Sequence, residues 1–393
     1  MDVTAAPRSP ATAAGAPPAG DGAAQEIRLE GVSKVYADGT VGVAELDLTF
    51  AAGELSVLVG PSGCGKTTTM KMINRIIEPT TGRILLGGED VTRVDADRLR
   101  RRIGYVIQSV GLFPHQTVRT NVGTVPRLLG WDKRRTRERV DELLTTVGLD
   151  PAVHGDRYPA QLSGGQRQRA GVARALAADP AVLLMDEPFS AVDPVVRERL
   201  QAEFLRLQET VRKTIVFVTH DIEEAVRLGD RIAVMSAGGH VEQFAPPAEV
   251  LGRPANDVVA DFVGADRGLK RLAVTAVDAA DLEQPPVVRP GDGLADAGAL
   301  LDRAGAEGAV VLDDAGRPVG WLPAARAAGA GTVSSAATPG GGTVPVGAPL
   351  KTALATLLQS DAGWVAVVDG DRYLGVLTPG SLHAALRRSV AAG

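Results

Sequence analysis

A glycine-rich stretch that follows an apolar run constrains the fold of this chain more than any other feature. The run Leu55–Val59 is typical of a buried strand, and residues 66–77 have the pattern of an amphipathic helix. The stretch between them consists of Gly60, Pro61, Ser62, Gly63, Cys64, Gly65, Lys66, Thr67 and Thr68. Glycines let backbone N–H groups point inward at an anion, and the start of a helix adds partial positive charge. The stretch therefore predicts a phosphate-binding turn in a layered α/β domain. The alternative is a plain turn between a strand and a helix.

Polar side chains with complementary chemistry occur here and after a second apolar run. We expect Lys66 to contact the β- and γ-phosphates of ATP, and the Thr67 hydroxyl to bind Mg²⁺. The run at residues 181–185 ends in Asp186 and Glu187, and a buried parallel strand delivers such residues to a ligand crevice. Asp186 is then a Mg²⁺ ligand and Glu187 the general base that polarises water. Two carboxylates that cap the next helix are the alternative.

Length and composition limit the class of protein. A chain of 393 residues predicts two or three folded units, and 45% apolar with 23% charged residues is typical of globular domains. The net charge of −5 argues against nucleic acid as a partner. One cysteine excludes an internal disulfide. Because no apolar run is long enough to cross a bilayer, work at a membrane would require docking to a protein that spans it.

Changes in composition and residue pattern along the chain predict its domain boundaries. Residues 1–26, rich in Ala and Pro, are expected to be a disordered tail. Residues 27–264 form the α/β domain, and helical patterns at 131–147 and 165–178 predict a helical subdomain inserted at about residues 109–178. A linker at 265–284 leads to a repeat at 285–328, and a flexible Gly/Ser/Thr/Pro linker at 329–342 leads to a second repeat at 343–393.

A pentapeptide between the two chemical elements identifies a family. It consists of Leu162, Ser163, Gly164, Gly165 and Gln166. With this signature, the sequence resembles the ATP-binding subunits of ABC transporters. The resemblance implies a P-loop ATPase domain with a RecA-like core plus antiparallel β and helical subdomains. It also implies a head-to-tail dimer with a second copy, in which each signature faces the ATP held by the other subunit. Ser163 and the first N–H groups of the following helix would supply a second anion site. A serine cap beside a glycine turn describes the local structure equally well.

Further elements of the family follow in order along the chain. By the resemblance, Tyr36 stacks on adenine, and Gln108 is a catalytic residue that reaches Mg²⁺ or the attacking water. Ser190 and Asp193 belong to a loop at the dimer interface. His220, after a further apolar strand, corresponds to the switch histidine that contacts the γ-phosphate. A single tyrosine or histidine at a strand end is by default structural, so these assignments depend on the order and spacing of the whole set.

Three stretches between these elements narrow the resemblance. Residues 71–82, 103–115 and 262–267 resemble the group of importers for glycine betaine, carnitine and choline. The group implies integral membrane permease subunits, an extracytoplasmic substrate-binding protein, and a place at the cytoplasmic face of the membrane. Another amine or an amino acid is the alternative cargo. A non-transport ABC ATPase and a nucleotide-sensing regulator are the rivals from other classes.

The two C-terminal repeats resemble a pair of CBS domains, which implies an α+β fold. The family pattern ends a strand with a threonine and, three residues later, an aspartate that hold the ribose of an adenine nucleotide. The second repeat has Thr378 but Ser381 in place of the aspartate, and the first has Pro323 and Arg326. What the pair responds to therefore stays open. It could sense ionic strength or another nucleotide, or it could sense nothing and only stabilise a dimer.

Overall fold

The structure is a computed structural model that describes residues 23–107, 111–190, 192–359 and 362–391. Most of the predicted disordered tail, residues 1–22, lies outside the described residues. Within the described ranges, no helix has the length and apolar character needed to cross a membrane.

The first 264 residues contain ten strands and eleven helices in the described part of the chain. The strands are β1 Ile27–Val35, β2 Val41–Phe50, β3 Leu55–Val59, β4 Thr81–Leu86, β5 Glu89–Asp90, β6 Ile103–Val106, β7 Val182–Asp186, β8 Thr214–Thr219, β9 Arg231–Ser236 and β10 His240–Ala245. The helices are α1 Lys66–Ile73, α2 Ala96–Arg100, α3 Val118–Val122, α4 Thr124–Leu128, α5 Lys133–Thr146, α6 Pro151–His154, α7 Gly164–Leu176, α8 Pro194–Val211, α9 Ile222–Leu228, α10 Pro247–Gly252 and α11 Asp257–Val263.

Two sheets pack against each other to form this unit. The larger has the order β10-β9-β3-β8-β7-β6, and all its pairs are parallel except β9 with β10. Its central strands β3, β7 and β8 are buried throughout, as expected for a parallel sheet covered on both faces. The smaller, antiparallel sheet has the order β2-β1-β4-β5. The α/β architecture with an added antiparallel sheet is confirmed.

Helices occupy the segment between β6 and β7. The two helices predicted from periodicity are confirmed as α5 and α7. Apolar residues of both helices, such as Leu144 and Val172, belong to one buried cluster with Leu200 and Phe204 of α8. The helical segment is thereby joined to the core beside the carboxyl end of β7.

The C-terminal residues form two small sheets with their own helices. The elements are α12 Arg267–Val274, β11 Val287–Val288, α13 Leu294–Ala304, β12 Gly308–Leu312, β13 Pro318–Pro323, α14 Val333–Ala336, β14 Thr338–Pro339, β15 Thr343–Pro345, α15 Leu350–Leu358, β16 Val365–Asp369, β17 Arg372–Leu377 and α16 Pro379–Ala391. The sheet orders are β11-β12-β13-β14 and β15-β16-β17. Trp321 and Trp364, one from each half, lie with ring centroids 5.2 Å apart. The predicted α+β pair is confirmed.

The two segments expected to be linkers are ordered parts of the fold, which corrects the prediction. Within 265–284, helix α12 places Leu272 in the core of the second repeat, while Val274 packs against the core of the first unit. Within 329–342, Val333 is fully buried in the first repeat and β14 pairs with β13. The composition of these segments is typical of linkers, but a few buried side chains and one short strand pairing are enough to order them.

Candidate functional site

The glycine-rich stretch wraps the carboxyl end of β3 and leads directly into α1. Gly60 has φ +154°, and a Cβ at this position would lie 2.2 Å from the carbonyl oxygen of Met235. Gly65 has φ +102°, and its Cβ would lie 2.7 Å from the carbonyl oxygen of Gly42. Only glycine fits both the left-handed backbone and these close approaches. Lys66 is buried, and its Nζ donates hydrogen bonds to the carbonyl oxygens of Gly60 and Pro61 at 2.7 and 2.9 Å.

Three loops meet at one edge of the large sheet because β3, β8 and β7 are adjacent and parallel. The register places Val59 opposite Thr219, and Asp186 opposite Val218. The Thr67 hydroxyl donates a hydrogen bond to Oδ1 of Asp186 at 3.1 Å. The structure therefore brings the Thr67 and Asp186 side chains together, although 118 residues separate them in the sequence.

Burial controls the electrostatics of this edge. It raises the pKa of Asp186, and the nearby Glu187 carboxylate raises it further, while the Thr67 hydrogen bond and the charges of Lys71 and Lys66 oppose the increase. Burial, helped by the negative charge of Asp186, also raises the pKa of Tyr105 to about 12. A cation bound at Asp186 would offset the cost of holding its carboxylate away from water.

Glu187 and His220 form the second pair at the same edge. Glu187 has φ +43°, an uncommon left-handed conformation for a residue with a side chain. The strain is held by hydrogen bonds, since the Glu187 N–H donates to the carbonyl of Val218 and the Ser190 hydroxyl donates to the carbonyl of Glu187. Oε1 of Glu187 lies 3.2 Å from Nδ1 of His220. Strained residues fixed by their surroundings are concentrated at functional sites.

The signature pentapeptide leads into α7, and local hydrogen bonds fix its conformation. The Ser163 hydroxyl accepts a hydrogen bond from the Gln166 N–H, and the Gln166 side chain accepts one from the Ser163 N–H. This reciprocal cap fixes the first turn of the helix. A Cβ on Gly165 would lie 3.3 Å from Cγ1 of Val196, so the start of α7 packs closely on α8. Leu162 is buried beneath the turn.

The remaining predicted residues lie around this frame. The ring of Tyr36 is 38% exposed, and its hydroxyl is 3.4 Å from the Thr68 hydroxyl, so an aromatic face lies beside the start of α1. Asp193 caps α8 by accepting a hydrogen bond from the Val196 N–H. Gln108 falls outside the described residues, as does Ala191 between Ser190 and Asp193.

Sequence reasoning missed two buried polar residues behind the site, Gln201 and Glu224. Their side chains are joined by a hydrogen bond of 2.9 Å from Gln201 Nε2 to Glu224 Oε1. Helical periodicity offers a partial signal for Gln201, because Leu200, Phe204 and Leu207 define the buried face of α8 on which it lies. Nothing in the sequence indicates its partner.

In the second C-terminal repeat, the threonine singled out in the sequence is engaged by the chain itself. The Thr378 hydroxyl donates to Glu283, and the Ser381 hydroxyl accepts a hydrogen bond from the Thr378 N–H at 2.8 Å. Backbone bonds in both directions between Glu283 and Val376 hold the carboxylate in this position. Ser381 therefore acts as a local cap.

Comparisons with known proteins agree with this arrangement. The family model described as "ABC transporter" matches residues 43–190, and the model described as "CBS domain" matches residues 342–388. The osmoprotectant import ATP-binding protein OsmV of Salmonella typhimurium is 46% identical over 359 residues, covering 90% of this chain and 94% of that protein. The glycine betaine/carnitine/choline transport ATP-binding protein OpuCA of Bacillus subtilis is 44% identical over 362 residues, covering 91% and 95%.

A solved structure is similar to the first unit. The dimeric bacterial ABC transporter cassette MJ0796 aligns with a TM-score of 0.51 and 34% identity, covering 56% of this chain and 98% of that one. A second structure of the same cassette is a dimer in a post-hydrolysis state bound to ADP and Pi.

Proposed function

The chain belongs to the family of ABC transporter ATP-binding subunits, and on this premise we propose that it hydrolyses ATP to drive uptake of a quaternary-amine osmoprotectant. We infer that the cargo is of the glycine betaine, choline, carnitine or proline type, because relatives that match most of this chain are named for osmoprotectants, glycine betaine, carnitine and choline. In this function the chain supplies the ATPase and never contacts the cargo.

The observation that carries the ATPase function is the meeting of two pairs at one sheet edge. Thr67 with Asp186, and Glu187 with His220, lie at the carboxyl ends of adjacent parallel strands next to the phosphate loop. In this proposal Lys66 and the loop N–H groups of Gly60–Thr68 hold the phosphates. Glu187 accepts the proton of the attacking water, and His220 contacts the γ-phosphate and keeps the Glu187 carboxylate in position.

The oxygen donors at this edge suit Mg²⁺. The hydroxyl of Thr67 and the carboxylate of Asp186 are 3.1 Å apart, and hard oxygen ligands are those that Mg²⁺ prefers. We assign both to the metal, with Gln108 as a third ligand. When bound, Mg²⁺ supplies charge that offsets the negative charge of the phosphates.

The proposed partners complete the ATP site and couple it to transport. In the proposed head-to-tail dimer, Ser163 and the N-terminal N–H groups of α7 face the ATP held by the partner subunit and stabilise its γ-phosphate. Ser190 and Asp193 line the shared interface, and Tyr36 stacks on the adenine. At the cytoplasmic face of the membrane, this chain docks to integral membrane permease subunits, which convert closure of the dimer into transport, and an extracytoplasmic binding protein delivers the cargo.

Uptake of labelled compounds tests the function directly. Cells with and without this gene are supplied with glycine betaine, choline, carnitine and proline at low and high osmolarity. We expect gene-dependent uptake of at least one quaternary amine, and loss of that uptake when the gene carries Lys66→Ala. Gene-dependent uptake of none of the four would contradict the assigned cargo.

A further inference from the structure

A buried polar pair lies directly behind the catalytic edge. Gln201 on α8 and Glu224 on α9 are 4% and 8% exposed, and Gln201 Nε2 donates to Glu224 Oε1 at 2.9 Å. Burial raises the pKa of the Glu224 carboxyl, and its hydrogen bonds with Thr219 and Gln201 oppose the increase. An apolar pair would avoid the cost of burying these polar groups. Their presence therefore requires a reason other than stability.

The Glu224 end of the pair fixes the loop that carries His220. The hydroxyl of Thr219, the last residue of β8, accepts a hydrogen bond from the N–H of Asp221 at 3.1 Å. Asp221 in turn accepts hydrogen bonds from the N–H groups of Glu223 and Glu224. His220 lies between Thr219 and Asp221, which are bonded to each other, and Asp221 is bonded to the turn that contains Glu224. The His220 side chain itself is 60% exposed.

The Gln201 end fixes the helix that carries the proposed interface loop. Helix α8 begins at Pro194 with Asp193 as its cap, and Arg197, one turn before Gln201, donates to the carbonyl of Val192 at 3.1 Å. Val196 and Leu200 of the same helix lie against Gly165 at the start of the signature helix. Movement of α8 would therefore shift the loop at 192–193 and the signature together.

We infer that Gln201 and Glu224 are positioning residues for ATP hydrolysis, which hold the His220 loop in register with α8 and with the interface loop that precedes it. The pair is a direct, buried side-chain bridge between α8 and α9, the helix that follows the His220 turn. Neither residue touches the reacting groups. This inference rests on the proposed roles of Glu187 and His220.

Steady-state ATP hydrolysis by the full-length chain tests the inference with four single variants and with the double variant Gln201→Leu/Glu224→Ala. Glu224→Ala removes the carboxyl, and Gln201→Leu removes the donor while it keeps a buried side chain of similar volume. Glu224→Gln keeps an oxygen that accepts from Gln201. Glu223→Ala, at the exposed neighbouring position, is the matched control.

We expect Glu224→Ala and Gln201→Leu each to lower kcat about tenfold, with the KM for ATP changed less than about twofold, because misplacement of catalytic groups affects the reaction more than binding. The double variant should be no slower than either single variant, since both remove the same contact. Glu224→Gln should restore kcat to within about threefold of the wild type, because the contact with Gln201 is kept. Glu223→Ala should match the wild type.

Equal kcat in the wild type and Gln201→Leu would overturn the inference, as would additive losses in the double variant. If Glu224→Ala does not fold, as judged by its thermal unfolding, the comparison of Gln201→Leu with Glu224→Gln still decides. The same assay with Glu187→Gln separates a failure of this inference from a failure of the proposed function. Wild-type hydrolysis abolished by Glu187→Gln but unaffected by Gln201→Leu contradicts only this inference, whereas a wild type without hydrolysis contradicts the proposed function as well.

Discussion

The ATPase edge and the second C-terminal repeat both contain residues that match a nucleotide-binding pattern, but the two regions use them differently. At the ATPase edge, Thr67, Asp186, Glu187 and His220 come from three loops and converge beside the phosphate loop. In the repeat, the Thr378 hydroxyl already donates to Glu283 of the same chain. A motif therefore locates candidate residues, while the geometry determines whether their polar atoms face a ligand or a neighbouring segment.

The two regions also differ in the buried cores that stabilise them. The catalytic edge belongs to a unit with a large buried core, whereas the two repeats meet through a small cluster around Trp321, Trp364 and Val310. We expect the stability of the repeat pair to depend on a few side chains, and the stability of the catalytic edge to be more widely distributed.

The largest effect is expected from Trp364→Ala, which removes a ring that is 4% exposed between the two repeats. Loss of a buried tryptophan typically costs about 3–5 kcal/mol. Calorimetry should show the transition of the C-terminal pair at lower temperature, while ATP hydrolysis measured below that temperature persists. Leu358→Ala, at a side chain that is 79% exposed, is the control and should change the unfolding free energy by less than about 0.5 kcal/mol. Loss of hydrolysis together with the pair would show that the two regions are one cooperative unit.

The next effect is expected from His220→Ala, which removes the group 3.2 Å from the Glu187 carboxylate. We expect kcat for ATP hydrolysis to fall about 100-fold, within the range for a positioned acid–base pair. His383→Ala, in the second repeat, is the matched control and should hydrolyse ATP at the wild-type rate. Equal losses in both variants would erase the functional distinction between the two regions.

The smallest effect is expected from Glu283→Ala. The exposed hydrogen bond with Thr378 should contribute only about 0.5–1 kcal/mol to the stability of the repeat.

Because Thr378 is engaged within the chain, equilibrium dialysis of the wild type should give one ATP per chain, bound at the phosphate loop. Two ATP molecules per chain would contradict the contrast between the two regions, unless Lys66→Ala removed both.

The ATPase residues were predictable because each motif combines a local structural role with a chemical one. Gly60 and Lys66 follow one strand, and Asp186 ends another, so the topology of a parallel sheet brings them to the same edge. The contact of Thr67 with Asp186 agrees with the expectation that both bind one metal ion. The roles of Tyr36, Gln108, Ser190 and Asp193 stay predictions.

Other features depend on contacts between distant segments, and the sequence does not indicate them. The segment that forms α12 is predicted from the sequence as part of a linker, because only its packing against two cores gives Leu272 and Val274 their importance. The pairing of β14 with β13 orders a stretch whose composition is typical of loops. The Gln201–Glu224 bond joins two helices through ordinary polar residues, and the engagement of Thr378 by Glu283 spans 95 positions.

The central claim is that Glu187, held against His220 at this edge, is the general base of an ATPase that works as a dimer. The most direct test is Glu187→Gln in the full-length chain, with ATP hydrolysis and the mass of the ATP-bound species measured on the same sample. We predict a loss of hydrolysis of at least about 100-fold, in the range for removal of a general base, together with a stable dimer that contains ATP. Hydrolysis at the wild-type rate, or a variant that remains a monomer with saturating Mg²⁺ and ATP, would contradict the claim.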